Sequence, residues 1–170
     1  MAAPLVLLAA GGTGGHLFPA EALAHALIAR GARVALATDT RAAGYAGSFP
    51  AEAVHSLPAA TPSGGNPFRK LGAVLTMARG TIAARSLVRR IKPDIVVGFG
   101  GYPTVPPVLG ASLAGTKTLI HEQNAVMGRA NLFLAGRVTA LATGFAHGCG
   151  LHRLHWLHPG GQADSCDGRA

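Results

Sequence analysis

Four glycines fall within six residues, Gly11-Gly12-Thr13-Gly14-Gly15-His16, between an apolar run at Leu5–Ala9 and an alanine-rich helical pattern ending at Arg30-Gly31. That order is strand, glycine turn, helix, and it sets the fold class this chain can adopt. Glycines let the backbone reach φ > 0 and let a ligand approach the main chain closely. The turn feeds a helix N-terminus, where free N–H groups and the dipole favour an anion, phosphate above all. Neither standard phosphate signature fits. Gly12 and Gly14 supply the first two glycines of G-x-G-x-x-G, but Leu17 stands at the third, and His16 stands where a P-loop ends in Gly-Lys-Ser/Thr. A ligand-free βα turn needs only one or two glycines, so the excess favours an anion site.

The same unit recurs along the chain. The first strand is Leu5–Ala9, and the first helix runs from about Pro19, a first-turn residue, to Arg30, with Gly31 as its stop. Arg33–Thr38 is the second strand, and Asp39 after it reads as a loop cap. Ala53–Leu57 is a short strand, followed by a Pro- and Gly-rich loop. Phe68–Ile91 is a long helix whose Leu71, Val74, Leu75, Ala78, Ile82, Leu87 and Ile91 recur at helical spacing. Pro93–Phe99 is a buried parallel strand ending in a second glycine turn, Gly100-Gly101-Tyr102-Pro103. A helix over Pro106–Leu113, a strand at Thr118–Ile120 and a polar turn, His121-Glu122-Gln123-Asn124, come next. A helix at about Gly128–Leu134 and a strand at Val138–Ala142 complete the pattern. Alternating β and α units predict an α/β fold with a doubly wound parallel sheet, a Rossmann-like domain. Ligands of such sheets bind beyond the strands' C-terminal ends, where all three turns fall.

Those turns gather three kinds of group. Gly12, Thr13, Gly14, Gly15, Gly100 and Gly101 offer backbone N–H donors to a diphosphate. His16 and Glu122 are candidate proton acceptors, with His121 beside them. Tyr102, Gln123 and Asn124 suit sugar hydroxyls or amides. The set fits a diphosphate-linked polar substrate whose hydroxyl loses its proton during attack. It fits covalent catalysis poorly, since no nucleophile elbow and no H-E-x-x-H occurs. No cofactor is implied.

Composition narrows the partners. Fifteen Lys+Arg against 7 Asp+Glu give a formal charge of +8, which favours anionic partners. Seven basic residues and no acid lie between Arg69 and Lys92: Arg69, Lys70, Arg79, Arg85, Arg89, Arg90 and Lys92. With Phe68, Leu71, Leu75 and Met77 as dipping residues, that helix suits an anionic membrane surface. Nucleic acid is disfavoured, because the stretch lacks aromatics for base stacking. No apolar run reaches the length of a spanning helix. The N-terminus lacks a charged leader, and two cysteines make no disulfide framework, so the cytoplasm is the expected compartment.

Taken together, Gly11–His16 with Phe18-Pro19, Lys92-Pro93-Asp94 leading to Gly98-Phe99-Gly100-Gly101-Tyr102, and His121-Glu122-Gln123-Asn124 with Gly128 and Asn131 resemble the MurG family of peptidoglycan N-acetylglucosaminyltransferases. The resemblance covers roughly residues 4–145. It implies a GT-B fold of two Rossmann-like halves, with this chain as the acceptor-binding half. It implies transfer of GlcNAc from UDP-GlcNAc to the MurNAc C4 hydroxyl of lipid I, forming lipid II with inversion. His16 matches the family histidine considered as general base, and Tyr102, His121, Glu122 and Asn124 match acceptor-site positions. The stretch 68–92 corresponds to the family's membrane-association region, on the cytoplasmic face of the bacterial inner membrane.

The expected domain is therefore 1–147, with an atypical tail at 148–170 and no donor-binding half. UDP-GlcNAc would bind only if that half were supplied. The tail is rich in histidine and holds Cys149, Cys166 and the lone Trp156, an abrupt shift that suggests a change of reading frame. Cys149, His152, His155, His158 and Cys166 lack the paired spacing of a zinc site, so no metal is expected.

Overall fold

The computed structural model describes residues 2–40, 48–61 and 66–144. Six strands form one parallel sheet: β1 (Leu5–Ala9), β2 (Arg33–Thr38), β3 (Ala53–Ser56), β4 (Ile95–Gly98), β5 (Lys117–Glu122) and β6 (Ala140–Thr143). Their order is β3-β2-β1-β4-β5-β6, so the chain reverses direction across the sheet between β1 and β4. Leu7 pairs with Ala35 on one side and Val96 on the other. Every residue of β1 is buried, which explains its unbroken apolar sequence at the sheet's centre. The doubly wound sheet is the architecture expected from the sequence.

Four α-helices flank it: α1 (Gly14–Ile28), α2 (Pro67–Ile91), α3 (Val105–Leu113) and α4 (Arg129–Ala135). Leu17, Ala20 and Ala24 of α1 pack on Val6, Leu8, Val34 and Leu36. On the other face Ala84, Leu87 and Val88 of α2, Val108 and Ala111 of α3, and Leu134 of α4 pack on Leu7, Val96 and Ile120. Asn66 caps α2, its side chain accepting from the Phe68 N–H at 2.9 Å with Pro67 in the first turn. Asp94 anchors the sheet's other end: its Oδ2 accepts from the Leu5 N–H at 2.8 Å.

Several boundaries move. Helix α1 starts at Gly14, not near Pro19, so Pro19 lies inside it. Strand β4 is shorter than expected, and a 3-10 turn at Tyr102–Thr104 precedes α3. Strand β5 runs to Glu122, so His121 and Glu122 are strand residues and only Gln123-Asn124 turn. Helix α2 turns most of its large apolar residues outward over its first turns. Leu71, Val74, Leu75, Ala78 and Ile82 are exposed, and the small residues Ala73, Gly80, Thr81 and Ala84 face inward instead. Helix α3 crosses too closely for large side chains: a Cβ on Gly110 would stand 2.8 Å from both Ala84 Cβ and the Arg85 backbone nitrogen. Residues 145–170, with the tail's cysteines and histidines, lie outside the described residues.

Gly98 ends β4 where α3 presses on the sheet. A Cβ there would meet the Thr104 methyl and stand 2.8 Å from Val108 Cγ2. Both neighbours are fully buried, at 0% exposure. Gly98→Ala should therefore destabilise the domain by about 1–3 kcal/mol, read from the urea midpoint at unchanged slope.

Candidate functional site

The switch point between β1 and β4 lies at the sheet's C-terminal edge, where ligands of such sheets bind. The glycine turn leaves β1, the Gly100-Gly101 turn leaves β4, and Gln123-Asn124 leaves β5, the next strand along. Gly12, Thr13, Gly14 and Gly15 are exposed, with no acidic residue in the first turn of α1. Gly100 and Gly101 both adopt positive φ, at 88° and 74°, a conformation that excludes most side chains. The Thr104 hydroxyl donates back to the Gly100 carbonyl at 2.6 Å and pins the turn.

His16 sits in the first turn of α1, half-buried against those glycines. A Cβ on Gly101 would stand 3.0 Å from His16 Cδ2 and 3.2 Å from Nε2. Its Nδ1 lies 2.7 Å from Gln123 Nε2. The same Gln123 nitrogen donates to the Phe99 carbonyl at 3.2 Å and the Gly15 carbonyl at 3.3 Å. One side chain from the end of β5 thus bridges the turns after β1 and β4.

Glu122 points the other way, as strand alternation requires. It is 1% exposed, and four donors surround its carboxylate. Oε1 accepts from the Asn124 N–H at 3.0 Å and Asn124 Nδ2 at 2.8 Å. Oε2 accepts from the Gly128 N–H and Asn131 Nδ2, both at 2.9 Å. Burial alone would raise its pKa, but the bonds from Gly128, Asn124 and Asn131 outweigh it and hold the carboxyl below the usual range. A carboxylate so enclosed organises the β5–α4 connection.

The remaining predicted residues divide. His121 is half-buried, its ring tilted against Phe99 at 5.6 Å between centroids. Its Nδ1 is buried without a partner among the described residues. Tyr102 borders an apolar cleft of about 390 Å³ between α2, α3 and α4, lined also by Val74, Met77, Val105, Leu109 and Phe133. Phe68, Leu71 and Leu75 are exposed on α2, as are Arg69, Lys70, Arg79 and Arg85, and none of these cations pairs with a described acid. Met77 is only half-exposed, its sulfur accepting from the Ala60 N–H at 3.4 Å, so it belongs to the packing. Asn131 belongs with Glu122: it is buried and holds Oε2, and its signal was a lone polar residue on the apolar face of Ala130 and Leu134.

The model of the glycosyltransferase family 28 N-terminal domain matches residues 6–143. The chain belongs to that family. A curated UDP-N-acetylglucosamine--N-acetylmuramyl-(pentapeptide) pyrophosphoryl-undecaprenol N-acetylglucosamine transferase of Allorhizobium ampelinum is 64% identical over 141 residues, 83% of this chain and 38% of the relative. The namesake from Methylobacterium sp. strain 4-46 is 56% identical over 165 residues, 94% of this chain and 44% of the relative, a match that runs past residue 147. A crystal structure of Acinetobacter baumannii MurG superposes with a TM-score of 0.74 at 32% identity, over 85% of this chain and 42% of that one. The chain therefore spans less than half the length of these family 28 relatives.

Replacing Glu122 tests its role as organiser. In Glu122→Gln an amide N–H faces donors that had a carboxylate, which should cost about 1–3 kcal/mol in a urea titration at neutral pH. Because the folded carboxyl titrates below its unfolded value, its contribution is full above the ordinary carboxylate range. It is lost as pH falls through the lowered folded value. The wild-type chain should lose this increment on acidification, and Glu122→Gln should not.

Proposed function

We propose that the chain is the acceptor-binding half of an inverting glycosyltransferase that moves N-acetylglucosamine from UDP-GlcNAc to the MurNAc C4 hydroxyl of lipid I. The product is lipid II, a peptidoglycan precursor. The observation that carries this reading is the convergence of three ligand-type turns on one switch point, bridged by Gln123. The relatives' names supply the substrate pair. Exposed Gly12–Gly15 and the Gly100-Gly101 backbone suit a diphosphate, with Tyr102, His121, Gln123 and Asn124 around it. Of the two proton-accepting candidates, Glu122 is enclosed by its four donors, and His16 keeps Nε2 beside the glycines. The donor nucleotide needs a second half, in keeping with the share of the relatives that this chain spans.

A peripheral seat on an anionic membrane surface is part of the proposal. Phe68 is 81% exposed and Ile82 71%, and the basic residues of α2 lie among such apolar groups. No helix among the described residues is long and apolar enough to cross a membrane. An apolar, cationic helix face suits the interface itself.

Transfer of radiolabelled GlcNAc to a lipid I analogue tests the activity. The chain alone should form no product, and adding a donor half should restore it. Product from the chain alone would overturn the division into halves. In the restored enzyme His16→Ala should lower kcat/KM by about 10- to 100-fold, the worth of a hydrogen bond to a charged group. A change under about threefold would remove His16 from the site. Flotation with anionic liposomes tests the surface. Arg85→Glu combined with Arg89→Glu should release the chain, and undiminished binding would make α2 a solvated face only.

A further inference from the structure

We propose that Gln123 fixes His16 in the Nε2–H tautomer, making His16 a neutral hydrogen-bond donor to the acceptor's diphosphate and not the base that takes the hydroxyl proton. The inference rests on the acceptor-binding reading above and assigns one residue of that site its chemical state.

The argument begins at Pro19. A proline has no N–H, so the carbonyl four residues before it loses its helical partner. That carbonyl is Gly15 O. Gln123 Nε2 reaches it at 3.3 Å from 108 residues away. The same atom stands 3.2 Å from the Phe99 carbonyl, one residue past β4. Carbonyl oxygens only accept. Two of them around one terminal atom of Gln123 identify that atom as the amide nitrogen. Reversing the amide would set Oε1 against both carbonyls.

That nitrogen carries two protons for three acceptors: the shortest contact, to His16, takes one, and the two carbonyls share the other. His16 Nδ1 lies 2.7 Å from a group that can only donate, so Nδ1 presents its lone pair. A neutral imidazole carries one ring proton, which then sits on Nε2. Moving it to Nδ1, or adding a second proton there, would face N–H against N–H at a short distance. Turning the ring over would replace Nδ1 by carbon and forfeit the bond. Gly100 and Gly101 close the other side: Cβ atoms there would approach the imidazole at 3.3 Å and 3.0 Å.

An Nε2–H at this position donates beside two glycine turns and a helix N-terminus, the groups suited to an anion. It adds one more donor for a phosphate oxygen. A nucleophilic hydroxyl needs the opposite, a lone pair, and the only free nitrogen of His16 does not present one. Gln123 is accordingly a positioning residue: it acts through His16.

Ring nitrogen NMR on the ¹⁵N-labelled 170-residue chain reads the tautomer without any ligand. At neutral pH His16 should show an unprotonated Nδ1 and a protonated Nε2. In Gln123→Glu, where a carboxylate accepts, Nδ1 should become protonated. A protonated Nδ1 in the wild type, or both forms together, would overturn the assignment. With a donor half supplied, His16→Gln discriminates donor from base, because a glutamine amide donates near Nε2 and takes no proton. It should retain kcat/KM within about tenfold of wild type and exceed His16→Ala, whereas activity no higher than that of His16→Ala would make His16 the base. Gln123→Glu should raise KM for the lipid I analogue more than it lowers kcat. If the wild-type restored enzyme ignores the lipid I analogue, the acceptor reading fails and the donor role with it, and the spectrum still reports the tautomer separately.

Discussion

The missing N–H of Pro19 draws a side chain from the end of β5 to the turn after β1. It leaves the Gly15 carbonyl without a helical partner in the first turn of α1, and Gln123 fills the vacancy. Through that amide the end of β5 is tied to the turn after β1 and, at Phe99, to the turn after β4. The Phe99 N–H and the Thr104 hydroxyl already tie the turns after β1 and β4 through the Ala9 carbonyl, and the bridge adds the end of β5 to them. With it they form one surface whose parts keep a common geometry. Such order matters where a ligand is recognised through backbone N–H groups, because their directions are the recognition.

Two neighbouring residues divide the work on β5 and its exit. Strand alternation sends Glu122 toward α4, and Gln123, just past the strand, crosses to His16. Glu122 is a buried charge, costly unless its oxygens are all occupied. Asn124, Gly128 and Asn131 occupy them, which fixes the path from β5 into α4 and therefore where Gln123 begins. An acid and an amide side by side in sequence thus hold two different layers of the fold. Neither needs to touch a substrate to decide how a substrate is met.

The sheet was legible because its central strands are buried on both faces. Leu5–Ala9 reads as an unbroken apolar run and Arg33–Thr38 as one at its centre, Val34–Ala37, and the structure keeps those bounds. Two of the three turns at the sheet's C-terminal edge were legible from their glycines, the third from its polar run. Pro19, however, argued for a later helix start, since proline is best tolerated in a first turn. The glycine turn lets the helix begin earlier and carry the proline within it. Strand β5 extends into His121 and Glu122 because each polar group finds a place off the strand: a ring against Phe99, a carboxylate among four donors. Periodicity weighs residue type and cannot see such partners. In α2 it found the helix but not its buried face, which over its middle turns is made of Ala73, Gly80, Thr81 and Ala84, with Leu87 and Val88 buried farther along.

The exposed apolar face of α2 bears on the proposed lipid-linked acceptor. Helix α2 runs from the C-terminal end of β3 to the start of β4, so its first turns lie toward the sheet edge that carries the glycine turns. Phe68, Leu71, Val74 and Leu75 belong to those turns and are exposed beside Arg69 and Lys70, while Arg85, Arg89 and Arg90 follow farther along. The apolar cleft beside α2 begins at Tyr102, directly after Gly101. A diphosphate seated on Gly100 and Gly101 would therefore have apolar surface at one end and the polar side chains of Gln123 and Asn124 at the other. A molecule with a lipid on one side of its diphosphate and a sugar on the other matches that polarity, and reversing it would bury the sugar in the cleft. On the proposed reading, an acceptor would lie along the sheet edge in that direction.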